Sequence, residues 1–296
     1  SVVLSYEIRN IFLTLPNIGN FMVKIALIVV LLLVAGCSSV IKTNDLLMTN
    51  AKKTPVDVTA ISNGDWFEAS IHKIENFAIT HDDGITTRGL HLSVKDSKYV
   101  VVYFGGNSFR IQDAGIGLTR RFAQLGVDFV WMDYRGLGAS DGIPSIETLK
   151  KDAISTHNFI QQYNKKVILH GVSMGSLLAA NIAAGDNNIH ALVLEAAITD
   201  VESLVKGMAP PWKTVEVDPE LKGISNEEYI AQYEGPLLFI VGEDDLVTPT
   251  TSTRKLFDTS PSIQKSFIEV SGASHVNSMT FDQAFNEYIS FIKSLD

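Results

Sequence analysis

Apolar residues in this chain recur at two periods. The runs 99–104 (YVVVYF), 127–132 (VDFVWM), 166–170 (KVILH), 189–196 (IHALVLEA), 237–241 (LLFIV) and 266–270 are nearly continuous. That is the pattern of strands buried on both faces. Between them, 113–125, 146–163, 174–184, 250–257 and 281–295 carry apolar residues at helical spacing. In 146–163 the apolar face is Ile146, Leu149, Ala153, Ile154, Phe159 and Ile160. Strands alternating with helices predict right-handed βαβ units and an α/β fold, a mostly parallel central sheet with helices on both faces. Ahead of these, 76–80 and 88–94 read as two strands around His81-Asp82-Asp83-Gly84, a hairpin signal. Residues 199–234 break the rhythm with Pro210-Pro211-Trp212, Asp218-Pro219, one short helical stretch and no sheet strand. This stretch reads as a small lid-like excursion.

The longest apolar run lies outside that alternation. Residues 25–35 read IALIVVLLLVA, preceded by Lys24 and followed by Gly36-Cys37-Ser38-Ser39. The run is shorter than the roughly 20 residues of a membrane span. Cation, apolar stretch, small residues and the chain's single cysteine stand in the order of an export signal. They resemble a bacterial lipoprotein signal, which is cut before a cysteine that then carries lipid. The resemblance implies lipidation at Cys37 and a membrane-anchored lipoprotein of a bacterial envelope, with Ser38 favouring the outer membrane and the domain extracytoplasmic. An uncleaved anchor, or a buried helix with a core cysteine, is the alternative. Met22 then reads as the start, with 1–21 as an upstream extension, 22–36 as the signal and 37–70 as a polar tether. Residues 71–296 form one domain.

Charge and cysteine count narrow the function classes. The chain has 296 residues, 24 Lys+Arg against 33 Asp+Glu, a net charge of −9 and one cysteine. A nucleic-acid binder would show a basic face. One cysteine excludes an intramolecular disulfide and a Cys₄ or Cys₂His₂ zinc site. No nucleotide loop or metal motif stands out, so the expectation is no cofactor, no metal and no nucleic-acid partner.

Nucleophile chemistry does stand out. Two segments match G-x-S-x-G, Gly138 to Gly142 and Gly171 to Gly175. A nucleophile on such a turn needs a strand before it and a helix after it. Only Ser173 has both, with KVILH before and SLLAANIAA after. Ser140 is followed by Ile143-Pro144, where the proline disfavours helix, and reads as a loop serine. Serine needs a base, and the base needs an orienting carboxylate. His275, after the last strand and before the last helix, is the well-placed histidine. His190 sits at a strand start, the wrong end of a parallel sheet. His72, His81, His91 and His157 precede the serine, and His170 reads as a packed core residue. Glu243, Asp244 and Asp245, where LLFIV ends, are all candidates for the acid. For an oxyanion, Met174 N–H lies at a helix amino terminus, and the Gly105-Gly106-Asn107 turn offers a second donor.

Taken in order, YFGGN (103–107), DYRGLGASDG (133–142), HGVSMG (170–175), GEDDLVTP (242–249) and GASH (272–275) resemble the α/β-hydrolase superfamily, within it the BEM46-like branch. The resemblance covers about residues 74–295. It implies Asp245, four residues before Pro249, as the acid. It implies Asn107 N–H as the second oxyanion donor, with Gly106 in reserve; Gly105 stands where the family often has histidine. The implied activity is a serine hydrolase cleaving a carboxylic ester of a small-molecule acyl substrate through an acyl-enzyme. A serine peptidase of the same fold is the runner-up. A non-enzymatic lipoprotein interaction module is a third reading.

Overall fold

The computed structural model describes residues 39–50, 52–209 and 214–296. The apolar run 25–35, Met22 and Cys37 lie outside the described residues. No helix among the described residues is long and apolar enough to cross a membrane.

The chain enters as a short strand β1 (Ser39–Ile41) and two short helices, α1 (Thr43–Leu46) and α2 (Val58–Ser62). A long hairpin follows, β2 (His72–Thr80) and β3 (Thr86–Val94), then β4 (Tyr99–Phe104), α3 (Ile111–Gln124), β5 (Asp128–Met132) and α4 (Ile146–Ile160). Next come β6 (Lys166–Val172), α5 (Met174–Gly185), β7 (Ala191–Glu195), α6 (Val201–Gly207), β8 (Val215–Val217) and α7 (Asn226–Ile230). The chain closes with β9 (Leu237–Gly242), α8 (Thr250–Thr259), β10 (Lys265–Val270) and α9 (Asp282–Lys293).

One eight-stranded sheet carries the fold, in the order β10-β9-β7-β6-β4-β5-β3-β2. From β10 to β5 every neighbour is parallel, while β3 joins β5 and β2 in antiparallel register. The apolar runs are continuous because β4, β5, β7 and β9 are buried along their whole length. On one face Phe122 of α3 and Tyr288 of α9 pack on Val101, Phe129 and Trp131. On the other, Leu149 of α4 and Leu177 of α5 pack on Leu169, Leu192 and Phe239. Each fully buried side chain of this size stabilises the fold by about 1.5–3 kcal/mol. The predicted α/β architecture is therefore the observed one. Element ends shift by a few residues: the predicted helix 146–163 ends at Ile160 in a 3-10 turn, stopped by Asn164 at φ 51. Its start is fixed by a capping box between Ser145 and Thr148.

Two expectations need correction. The excursion 199–234 does contain a strand, β8, outside the main sheet. The stretch read as a free tether is not free from residue 39 onward: β1 pairs with β8 in parallel. Leu47, Val56 and Ile61 are buried, and the backbone N–H groups of Asn50 and Thr54 donate to Gly136 and Gly138 carbonyls. A few apolar side chains in a polar stretch are enough to dock it when a surface is waiting. Polarity averaged along the segment conceals this.

Candidate functional site

The carboxyl ends of β4, β6, β7, β9 and β10 converge on one edge of the sheet, where the chemistry-bearing residues collect. Ser173 sits between β6 and α5 with φ 52 and ψ −116, a left-handed conformation that costs a non-glycine residue about 1–3 kcal/mol. Its neighbours explain why the turn is built from glycine. A Cβ on Gly171 would strike the Gly175 carbonyl and Ser176 Cα; one on Gly175 would strike the Phe104 and Gly105 carbonyls. The glycine spacing thus lets α5 press against both its own strand and the turn after β4. From below, the Ser176 hydroxyl donates to the Ser173 carbonyl at 2.5 Å, and buried Asn226 donates to Ser176 Oγ at 2.8 Å and to the Ile198 carbonyl at 2.7 Å. Asn226 comes from the excursion, which braces the turn through these bonds.

His275 Nδ1 lies 2.9 Å from Asp245 Oδ2 and 3.1 Å from Oδ1. A carboxylate only accepts, so Nδ1 carries the proton and Nε2 is an acceptor. The Ser173 hydroxyl donates to that Nε2 at 2.9 Å. Asp245 is itself held by Val247 N–H and Thr248 N–H, each 2.8 Å from Oδ1, and by the Thr248 hydroxyl, 2.8 Å from Oδ2. Burial alone would raise the Asp245 carboxyl. The hydrogen bond and charge of His275, with the Thr248 donors, outweigh it and hold the group below its ordinary value. Ser173 and His275 are each 8% exposed and Asp245 3%, so the line is largely shielded from solvent, its carboxylate end most of all.

The other two acids go elsewhere. Glu243 accepts from Ser271 Oγ at 2.7 Å and Gly272 N–H at 3.2 Å, bracing the loop that leads to His275. Asp244 contributes its backbone N–H to the Ala273 carbonyl. The remaining histidines fall where expected. His170 is fully buried on β6 and pairs with Glu195 of β7 at 3.2 Å, while His190 meets the Leu295 carbonyl at 3.4 Å. Ser140 is a buried staple: its hydroxyl donates to the Asp133 carbonyl at 2.6 Å and accepts Arg88 N–H at 2.8 Å.

Met174 opens α5, and Gly106 and Asn107 follow β4 in the turn that Gly175 touches. Two contacts steady this turn. The Tyr134 hydroxyl donates to the Gly105 carbonyl at 2.8 Å. The Asn107 side chain reaches into the entering segment, donating to the Leu46 carbonyl and accepting Met48 N–H at 3.1 Å. Asp133 caps α3, accepting Ile111 N–H at 2.9 Å and Ala139 N–H at 3.2 Å; burial outweighs these donors and pushes its carboxyl up to about 6. Thr248, Asn226 and Asp133 were not singled out in the sequence. Thr248 left a trace there inside GEDDLVTP and Asp133 as the first residue of DYRGLGASDG, while Asn226 left none.

Known proteins resemble this chain. The family described as serine aminopeptidase, S33, matches residues 98–226, which include Ser173 and the turn after β4 and stop short of Asp245 and His275. An uncharacterized membrane protein of Saccharomyces cerevisiae is 29% identical over 171 residues, 54% of this chain and 59% of that protein. The lysophosphatidylserine lipase ABHD12 of Danio rerio is 28% identical over 184 residues, 56% of this chain and 48% of the lipase. Protein bem46 of Schizosaccharomyces pombe is 24% identical over 208 residues, 68% of this chain and 69% of its own. The chain thus spans about half the length of the first two relatives. Among solved structures, an esterase of Pyrococcus furiosus superposes with a TM-score of 0.66 at 15% identity, over 83% of this chain and 98% of the esterase. That likeness shows the fold, which is the α/β-hydrolase fold.

Proposed function

We propose that this α/β-hydrolase-fold chain is a serine hydrolase that cleaves a carboxylic ester of a small acyl substrate through a covalent acyl-enzyme. The observation that carries the reading is the hydrogen-bonded line Ser173–His275–Asp245, with both links at 2.9 Å. Ser173 Oγ attacks the acyl carbon while His275 Nε2 takes its proton and then passes it to the leaving alcohol. Asp245 keeps His275 in the tautomer that can accept and stabilises the imidazolium that forms. The N–H groups of Met174 and Asn107, with Gly106 in reserve, stabilise the tetrahedral oxyanion; the amino terminus of α5 adds its dipole. Water, deprotonated by His275, then releases the acid and restores Ser173.

The relatives called lipases support ester chemistry. The family described as serine aminopeptidase supports a second reading, hydrolysis of an amide by the same residues. Parallel assays of aryl ester and aminoacyl-anilide substrates on one preparation separate the two. A membrane setting fits the relative called a membrane protein, and lipid attachment at Cys37 would supply it; mass spectrometry of the mature amino terminus tests that. The activity itself is tested by Ser173→Ala. Hydrolysis of p-nitrophenyl butyrate is expected to fall at least 1,000-fold, roughly to the residual level left by removing a triad member. Full activity in that variant would refute the reading.

A further inference from the structure

We propose that Asn226, the first residue of α7 in the 199–234 excursion, is a positioning residue for the nucleophile. Through Ser176 it holds the Ser173 carbonyl, and so fixes the turn that aims Ser173 Oγ at His275; this rests on the hydrolase reading above. The turn needs such a hold. Ser173 keeps φ 52, a left-handed value that a residue other than glycine retains only when its surroundings over-determine it. Its N–H is pinned to the Glu195 carbonyl at 2.9 Å. Its carbonyl is pinned by Ser176, through the backbone N–H at 3.0 Å and the hydroxyl at 2.5 Å.

The direction of each hydrogen bond follows from its partners. The Ile198 carbonyl only accepts, so the Asn226 amide nitrogen faces it, at 2.7 Å, and the same nitrogen donates to Ser176 Oγ at 2.8 Å. Ile198 N–H also donates to Ser176 Oγ, at 3.3 Å. With both lone pairs of that oxygen taken, its one proton goes to the Ser173 carbonyl. Donors on Ser176 Oγ also strengthen the bond it makes in turn, as in any chain of hydrogen bonds at low dielectric. Ser176 and Asn226 are both wholly buried, so bulk water does not compete for these groups.

Asn226 is itself fixed. Its N–H donates to the Thr199 carbonyl at 2.8 Å, and Val201 N–H donates to the Ile224 carbonyl at 3.1 Å. The two limbs of the excursion are thus tied together where the side chain enters. Its Oδ1 has no hydrogen-bond partner among the described residues. An apolar side chain of the same shape would avoid that idle acceptor. An amide at this place is explained by what its nitrogen holds, the Ser176 hydroxyl and the Ile198 carbonyl. The excursion is thereby joined to the nucleophile by two consecutive hydrogen bonds, Asn226 to Ser176 and Ser176 to Ser173.

The test is a double-mutant cycle of Asn226→Ala and Ser176→Ala on p-nitrophenyl butyrate, with kcat counted per serine that a fluorophosphonate labels. Counting this way removes any unfolded fraction from the comparison. Each single variant is expected to lower kcat about tenfold while KM stays within about twofold, the signature of a hold felt in the transition state rather than in binding. The double variant should fall no further, because both substitutions break one chain of contacts. Should Asn226→Ala not fold, Asn226→Ser, which keeps a polar but shorter group, takes its place in the cycle. A kcat per labelled serine that stays at the unmodified level in either single variant overturns the proposal. So do losses that multiply to about a hundredfold in the double variant, which would make the two residues independent. Absence of turnover by the unmodified protein would instead refute the hydrolase reading itself, so the two failures are told apart.

Discussion

Thr248 shows how little separates a working acid–base pair from a loose one. Its hydroxyl lies 2.8 Å from Asp245 Oδ2 and 3.2 Å from His275 Nδ1, touching both members at once. Valine matches threonine in shape and lacks the hydroxyl. Thr248→Val is therefore expected to lower kcat/KM on an aryl ester about tenfold, the worth of one buried hydrogen bond of roughly 1–2 kcal/mol. Thr248→Ser should restore most of the loss; failure of serine to rescue would show that the site needs the methyl packing instead. Asp245→Asn is expected to cost more, on the order of 10⁴ in kcat, because an amide can no longer fix the tautomer of His275. At this scale the sequence was half legible. Ser173 and His275 stand out because strand, turn and chain order constrain them. Glu243, Asp244 and Asp245 share one turn, and which carboxylate faces the ring shows only in tertiary partners: Val247 and Thr248 hold Asp245, while Ser271 and Gly272 hold Glu243. Asn226 was illegible because its partners, Ser176 and the Ile198 carbonyl, lie 50 and 28 residues away.

Among the elements, the β6–α5 turn and the entering segment make opposite demands. The turn tolerates no extra atom. Gly175→Ala would drive a methyl into the Phe104 and Gly105 carbonyls, and is expected to cost about 3 kcal/mol in urea unfolding, in line with overpacking of a tight site. The entering segment is held by few contacts, and the Asn107 side chain makes two of them. Asn107→Ala keeps the backbone N–H proposed for the oxyanion. It should free the segment, so that trypsin cuts faster at exposed Lys52 and Lys53 while the melting temperature hardly moves. Unchanged cleavage would show that the β1–β8 pairing, the buried Leu47, Val56 and Ile61 and the backbone bonds of Asn50 and Thr54 hold the segment without Asn107. The long strands and helices were readable because each presents several turns or alternations of apolar side chains. The three-residue β8 (VEV) and its partner β1 were not, since three residues establish no period.

Over the whole molecule, two cores clamp one sheet, and the edge between them carries buried charge whose protonation couples to folding. Asp133 is the clearest case. Burial raises its folded carboxyl from 3.8 to about 6, so the folded protein holds this proton more tightly than the unfolded chain. Its contribution to stability is therefore full below the unfolded value and is lost as pH rises through about 6, a difference of up to about 3 kcal/mol. Asp245 behaves oppositely: its lowered carboxyl adds stability above the ordinary carboxylate value that disappears as pH falls through the folded one. Chemical unfolding of the unmodified protein and Asp133→Asn at pH 5 and pH 8 isolates the first effect. The stability advantage of the aspartate over the asparagine should be larger at pH 5; an advantage that grows toward pH 8 would show that the carboxylate is ionised and favoured in its cap.

The proposed chemistry turns on whether Ser173 forms the covalent intermediate. The most direct measurement is peptide mapping by mass spectrometry after reaction with a fluorophosphonate, which phosphonylates an activated serine. One adduct on the peptide carrying Ser173 is expected, formed far more slowly in Asp245→Asn and absent in Ser173→Ala. Stoichiometric labelling at Ser140 or any other serine, or none at all on the folded protein, would contradict the proposed chemistry.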